Sequence, residues 1–173
     1  MPTLGSASTY QGEGNSIIDL KLDSNVLNAE NIGIFGLNKG TIKDLNIINA
    51  SLNSNISSDS SGSGLIAGKN ENTISGVEVT LTGNVNKNAG GIAGINEGTI
   101  DNCVANGEIA GDSNVGGISG LNIGINNIWY QQNKGIVSEC NSSVYIYAEN
   151  LGSSNLGGIV GKNEKQALVE KCE

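Results

Sequence analysis

A five-residue phrase returns five times along the chain: an aliphatic residue, a small residue or Phe, glycine, any residue, asparagine. It reads Ile34-Phe35-Gly36-Leu37-Asn38, Ile66-Ala67-Gly68-Lys69-Asn70, Ile92-Ala93-Gly94-Ile95-Asn96, Ile118-Ser119-Gly120-Leu121-Asn122 and Ile159-Val160-Gly161-Lys162-Asn163. The copies start at 34, 66, 92, 118 and 159, so the intervals are 32, 26, 26 and 41 residues. A recurring period of this size means one structural unit stacked on copies of itself. Such a chain says much about architecture and little about chemistry.

Aligning the units on their shared Asn turns the sequence into columns. Four residues after the Asn stand Ile42, Ile74 and Ile100, and seven after it Leu45, Val77 and Cys103. In the fourth unit an insertion intervenes. Resuming the phrase at Asn133-Lys134-Gly135 puts Val137 and Cys140 in the same two columns. The alternative resumption at Asn122-Ile123-Gly124 puts Asn126 in the apolar column and is rejected. A two-residue insertion in the fifth unit brings Val169 and Cys172 into line. Beyond these columns, Val79-Thr80-Leu81 and Val144-Tyr145-Ile146 alternate apolar and polar, the mark of a strand with one buried face. Sustained helical stripes are absent, so almost no helix is expected.

These features predict an all-β chain: a parallel β-solenoid, a right-handed β-helix of about five coils. Aromatics are 3% of the residues, which suits a narrow core of Ile, Val, Leu and Ala rather than a broad one. A propeller would need blades of about 40–50 residues, and a sandwich would not need identical residues at identical phases. In a solenoid the glycine column (Gly36, Gly68, Gly94, Gly120, Gly161) marks either a wall too close for a side chain or a positive φ. The asparagine column forms a ladder of amides between coils or caps turn backbones. Residues 1–32 lie outside the phrase and read as an N-terminal strand and cap, with Ile17 to Leu22 as the strand. Residues 33–173 are the repeat solenoid, with a lateral insertion at 123–133. The Ser/Asn/Gly-rich stretch 51–64 reads as a flexible loop.

The phrase Gly90-Gly91-Ile92-Ala93-Gly94-Ile95-Asn96-Glu97-Gly98-Thr99-Ile100-Asp101-Asn102-Cys103 resembles the GLUG repeat of bacterial surface proteins. So do Gly116 to Asn122 and Gly157 to Asn163. The first two units depart by lacking the double glycine, and Phe35 stands where the others are small. Such repeats occur in adhesin-like exported proteins and in the N-terminal regions of immunoglobulin A1 metallopeptidases. The resemblance implies an extracellular or cell-surface β-solenoid module with further domains of a longer parent chain. It brings no catalytic residues with it.

The chemistry is bounded mainly by what is missing. The chain has no His, and all nine basic residues are Lys, against 17 acids, for a net charge of −8. A nucleic-acid surface needs a basic stripe, so no nucleic-acid partner is expected. Zinc-peptidase and Ser-His-Asp arrangements fail for want of histidine. No run of 18 apolar residues occurs, so no membrane insertion is expected, and residues 1–9 have no signal-peptide pattern. Of a cytosolic protein and a segment of a longer exported chain, the second fits a repeat array better. Cys103, Cys140 and Cys172 stand in the column of Leu45 and Val77, so they read first as buried free thiols. A disulfide between stacked neighbours is a lesser reading and a metal site the least. No metal and no cofactor are expected. The acids are scattered singly, so no enzyme is expected, although a polysaccharide lyase or hydrolase on a β-helix is the residual alternative. Asp-rich calcium-binding repeats are lacking. Thr41, Thr73 and Thr99 make a rank that ice-binding surfaces would extend, but Ile136 interrupts it.

The candidate binding residues are aromatic. Trp129 and Tyr130 lie in the insertion, and solenoid insertions emerge laterally. Tyr145 and Tyr147 flank Ile146 and should point outward if Val144 and Ile146 point in. Tyr and Trp stack on sugar rings and apolar partner surfaces. The functional expectation is a non-catalytic spacer and adhesive scaffold for a host protein or glycan. The alternative is a carbohydrate-active or carbohydrate-binding β-helix.

Overall fold

The computed structural model describes residues 1–124, 135–148, 150 and 152–173. Short strands recur three to a coil and pair only with equivalent strands of neighbouring coils, always parallel. The first wall stacks Thr3–Leu4, Phe35–Asn38, Ala67–Asn70, Ala93–Asn96, Ser119–Ile123 and Val160–Glu164. The second stacks Thr9–Gln11, Thr41–Lys43, Thr73–Ser75, Thr99–Asp101, Ile136–Ser138 and Leu168–Glu170. The third is built on Asn46–Ser54, Glu78–Gly90, Val104–Gly116 and Asn141–Tyr147, with Ser16–Ile18 and Lys21–Asp23 paired at its start. The architecture is the expected parallel β-solenoid. Six strands in each of the first two walls replace the five coils anticipated, because residues 3–23 supply a coil of their own. Among the described residues the one helix is the single turn Ser24–Leu27.

Register follows the column alignment residue for residue. Ile42, Ile74, Ile100, Val137 and Val169 stand directly over one another. Val137 therefore does resume the column after the insertion. Leu45, Val77, Cys103 and Cys140 lie in one buried core, with Cys172 packed half-buried against it.

The irregular intervals resolve by counting along paired strands. Ile47 pairs with Val79 but Ala50 with Leu81, so one extra residue sits in a bulge around Asn49, whose φ is 56°. Ser54 pairs with Val85 and Ser63 with Ala89, which leaves five extra residues between them. One and five make the six by which the interval of 32 exceeds 26. The stretch expected to be a flexible loop is thus partly strand, through Ser54, and partly a tethered turn. Ile56 and Ser61 are buried. The Asn88 amide donates to the carbonyls of Ser58, Asp59 and Ser61 at 3.0–3.2 Å. Composition alone could not reveal those anchors.

Each of the five later coils turns from its second to its third wall through a residue in left-handed conformation. The column is Asp44, Gly76, Asn102, Glu139 and Lys171, with φ of 50–60°, each just before the Leu/Val/Cys column. Asn, Asp and Gly favour this conformation, whereas Glu and Lys do not. The stack imposes it on them, which is why no residue type marked the corner.

The glycine column takes the first of its two expected reasons. A Cβ on Gly120 would lie 2.3 Å from the backbone nitrogen of Ala89, and one on Gly94 2.1 Å from that of Ser63. None of the five column glycines has a positive φ. Gly94, Gly120 and Gly161 are glycines because the returning third-wall chain passes against them, and Gly68 and Gly36 because Asn31–Ile32 and Met1 crowd the same place.

Candidate functional site

The core of the stack is chemically quiet but polar at its seams. Asn38, Asn70, Asn96 and Asn122 are fully buried, and their amides form a continuous ladder. Asn38 Nδ2 donates to Asn70 Oδ1 at 2.7 Å, Asn70 to Asn96, Asn96 to Asn122 and Asn122 to Asn163, each at 2.8 Å. The same nitrogens reach the carbonyls that open the next coil's second wall: Thr73, Thr99, Ile136 and Leu168. The oxygens of Asn38 and Asn96 accept from Gly40 N and Gly98 N two residues on. Both expected roles of the column, ladder and turn cap, are therefore met by one side chain. Burying four amides is tolerable because each is satisfied in this way.

A second ladder was not anticipated. Asn114 Nδ2 donates to Asn88 Oδ1 at 2.7 Å, and Asn155 Nδ2 to Asn114 Oδ1 at 2.8 Å. All three have positive φ. The signal was present: each stands eight residues before a member of the first column, in Asn88-x-Gly-Gly, Asn114-x-Gly-Gly and Asn155-x-Gly-Gly.

The three thiols are free and occupy the core column as expected. Each donates to the carbonyl two residues before it, at 3.1–3.3 Å. A hydrogen bond to Cys140, reinforced by burial, holds the Cys103 thiol well above its ordinary ionisation range. Burial also raises Cys172, the half-buried member. The hydrogen bond with Cys103 lowers Cys140 in turn, while Cys103 and Cys172, held neutral, are poor nucleophiles. Among the described residues, no group of three His, Cys, Asp or Glu side chains is placed to hold a metal ion.

The outward chemistry gathers on the third wall. Tyr145 and Tyr147 lie on Asn141–Tyr147, 68% and 37% exposed. Val144 points inward and Ile146 packs against the core. The alternation of this strand turns both rings out, with centroids 5.7 Å apart and planes tilted by 32°. Trp129 and Tyr130 lie outside the described residues, so the four expected aromatics reduce here to a pair.

The ranks around that pair can be read from the register. Tyr145 stands beside Glu108, then Thr82 and Ser51; Tyr147 beside Ala110, Asn84 and Asn53; and Ser143 beside Asn106 and Thr80. Of the carboxylates in these ranks Glu108 is nearest the pair, standing among hydroxyls and amides, and the ranks end at Lys21 and Asp23 at the start of the wall. The threonine rank of the second wall is longer than expected, since Thr9 pairs with Thr41. It remains interrupted by Ile136 and Leu168.

No curated protein and no solved structure matches this chain. The model of the GLUG motif matches residues 85–110. That stretch takes in the end of one long third-wall strand, the whole phrase from Ile92 to Asn96, and the start of the next long strand. The chain is therefore similar to GLUG-repeat proteins through residues 85–110, where the two amide ladders run side by side.

Proposed function

We propose that this chain is a non-catalytic repeat module of an exported bacterial surface protein, a stiff spacer that presents a lateral patch to a host glycan or protein. The observation that carries the reading is the outward pair Tyr145 and Tyr147, set on a face whose neighbouring ranks offer hydroxyls, amides and the Glu108 carboxylate. Aromatic rings stack on apolar sugar faces and partner side chains, and the polar ranks supply hydrogen bonds. Stiffness rests on the stack itself. Six coils at about 4.8 Å per strand spacing place the first and last strands about 24 Å apart, and every junction is locked by backbone pairing.

The ranks favour binding over hydrolysis. Glycoside hydrolysis uses two carboxyl groups about 5–9.5 Å apart, and the two carboxylates in the three ranks around Tyr145, Glu108 and Asp23, lie three strands apart, about 14 Å.

A glycan array and a panel of host surface proteins, screened with the parent chain and with the double variant Tyr145→Ala/Tyr147→Ala, test the reading. The expected result is a ligand whose affinity falls at least tenfold in the variant while the thermal midpoint stays within about 2 °C, since the removed rings are solvent-facing. A Trp129→Ala arm asks whether the insertion shares the patch. The adhesive reading fails if the parent chain binds no member of either panel, or if the double variant binds as well as the parent.

A further inference from the structure

The two amide ladders run in opposite directions, and both stop in a way that distinguishes one end of the stack from the other. In the first ladder every Nδ2 donates forward, from Asn38 through Asn122 to Asn163. In the second every Nδ2 donates backward, from Asn155 to Asn114 to Asn88. On the N-terminal side both are closed. Leu4 stands in register before Asn38 and has no amide to offer. Asn88 spends its Nδ2 on the carbonyls of Ser58, Asp59 and Ser61.

On the C-terminal side both are open. Asn163 Nδ2 donates to Ala167 O of its own coil, whereas the interior amides also donate forward to the next amide and the next second wall. Asn155 donates to Asn114, but its Oδ1 receives nothing among the described residues. That is the atom through which Asn88 and Asn114 each receive the following coil. Among the described residues the last coil thus presents the second N–H of the Asn163 amide and the Oδ1 of Asn155.

The apolar columns show the same polarity. Tyr10, itself 36% exposed, replaces the column isoleucine in the first coil and sets its ring edge-on to Phe35, 5.6 Å between centroids, so the two ends differ in residue type rather than in exposure. The last coil keeps the column types. Val169 is 37% exposed where Ile100 and Val137 are fully buried, and Cys172 is half-buried where Cys103 and Cys140 are buried.

We propose that the C-terminal face of the stack is a docking edge for one kind of partner: a further coil carrying Asn-x-Gly-Gly-x-x-Gly-x-Asn. Its first Asn would donate to Asn155 Oδ1 and its second would accept from Asn163 Nδ2. Its two flanking aliphatic columns would cover Val169 and Cys172. The interior junctions are made this way at Asn88–Asn114 and Asn96–Asn122, and the docked coil would continue them. The N-terminal face of a second copy does not qualify, because Leu4 and Tyr10 stand where the code requires Asn and an aliphatic residue. The two faces of the stack therefore differ in the coil they can receive. This inference is independent of whether the tyrosines bind a ligand.

The test extends the full chain. A duplicate of residues 79–103 is joined after Glu173, in phase because Cys172 occupies the column of Val77. One control carries Asn88→Leu and Asn96→Leu within the duplicate. A second places residues 67–92 ahead of Met1. The first extension should raise the thermal midpoint by about 4 °C or more, as another cooperative coil interface is added. It should also slow hydrogen exchange of the 168–170 amides at least tenfold, while neither control does so. Equal stabilisation by all three extensions overturns the proposal. So does a C-terminal extension that leaves the 168–170 amides exchanging at the parent rate.

Discussion

Asn96→Ala measures how much the amide ladder contributes. The Asn96 carboxamide accepts from Asn70 Nδ2 and Gly98 N, and donates to Asn122 Oδ1, Gly98 O and Ile136 O. Asn70 Nδ2 keeps the carbonyls of Asn72 and Thr99 as partners. Two fully buried groups, Gly98 N–H and Asn122 Oδ1, lose theirs. At about 1–3 kcal/mol for each buried group left unpaired, the expected cost is about 2–6 kcal/mol. That is a large share of the roughly 5–15 kcal/mol that holds a typical domain together. Asn163→Ala is the internal control. It removes the last rung, at an exposed position, and Asn122 Nδ2 still reaches the carbonyls of Gly135 and Leu168. Its cost should be about 1 kcal/mol or less. Urea denaturation followed by circular dichroism and by Trp129 fluorescence reads both variants, with coincident transitions required before free energies are compared. If Asn96→Ala costs under 1 kcal/mol, or no more than Asn163→Ala, the ladder is ornament on a stack held by apolar columns alone.

Val77→Asp puts an unpaired carboxylate into a fully buried column and should cost about 3–5 kcal/mol in the same assay; a negligible change would contradict the stacking. Gly120→Ala sets a Cβ 2.3 Å from the Ala89 nitrogen, a backbone atom that cannot rotate away, so a loss of about 1–3 kcal/mol is expected, against near-neutrality for Gly152→Ala, where a Cβ meets nothing within 4 Å. Thiol ionisation gives a pH signature. The Cys103 thiol is held above its ordinary value of 9.0 in the folded chain, so folding retains a proton that the unfolded chain gives up. Its stabilising contribution is complete below pH 9 and is lost as pH rises beyond it. Urea midpoints from pH 7 to 10 should fall at the alkaline end, and replacing Cys103, Cys140 and Cys172 together by Val should flatten that fall.

The part of this fold that was legible in the sequence is the part in which side-chain type is dictated by its neighbour above and below. A buried column admits few residue types, so Ile42, Ile74, Ile100 and Val137 announce their stacking before any coordinate is known. The same logic carried the register across the insertion, because only one resumption kept Asn126 out of the core. The corner column was illegible for the opposite reason. Asp44, Gly76, Asn102, Glu139 and Lys171 share a backbone conformation and nothing else, since their side chains face solvent and the stack overrides local preference. Residues 1–32 lacked the phrase and so read as a cap. Yet backbone pairing needs no phrase, and Thr3–Leu4 and Thr9–Gln11 stack as well as any later strand. Polar surface patches have no vertical constraint at all. The outward direction of Tyr145 and Tyr147 followed from alternation, but their company of Glu108, Thr82 and Ser51 emerged only once the bulge at Asn49 had set the ranks. The second asparagine column lies between these cases. It is a buried rung and was written in the sequence three times, but only in the coils whose double glycine lets the backbone close over it. In the first full repeat unit Glu30 stands eight residues before Asn38, and in the second Gly62 stands before Asn70. The ladder therefore begins at Asn88, where the 55–62 turn supplies carbonyls in place of an amide, and runs through Asn114 to Asn155. A chain whose code becomes more complete along its length is one whose later coils are the better templates.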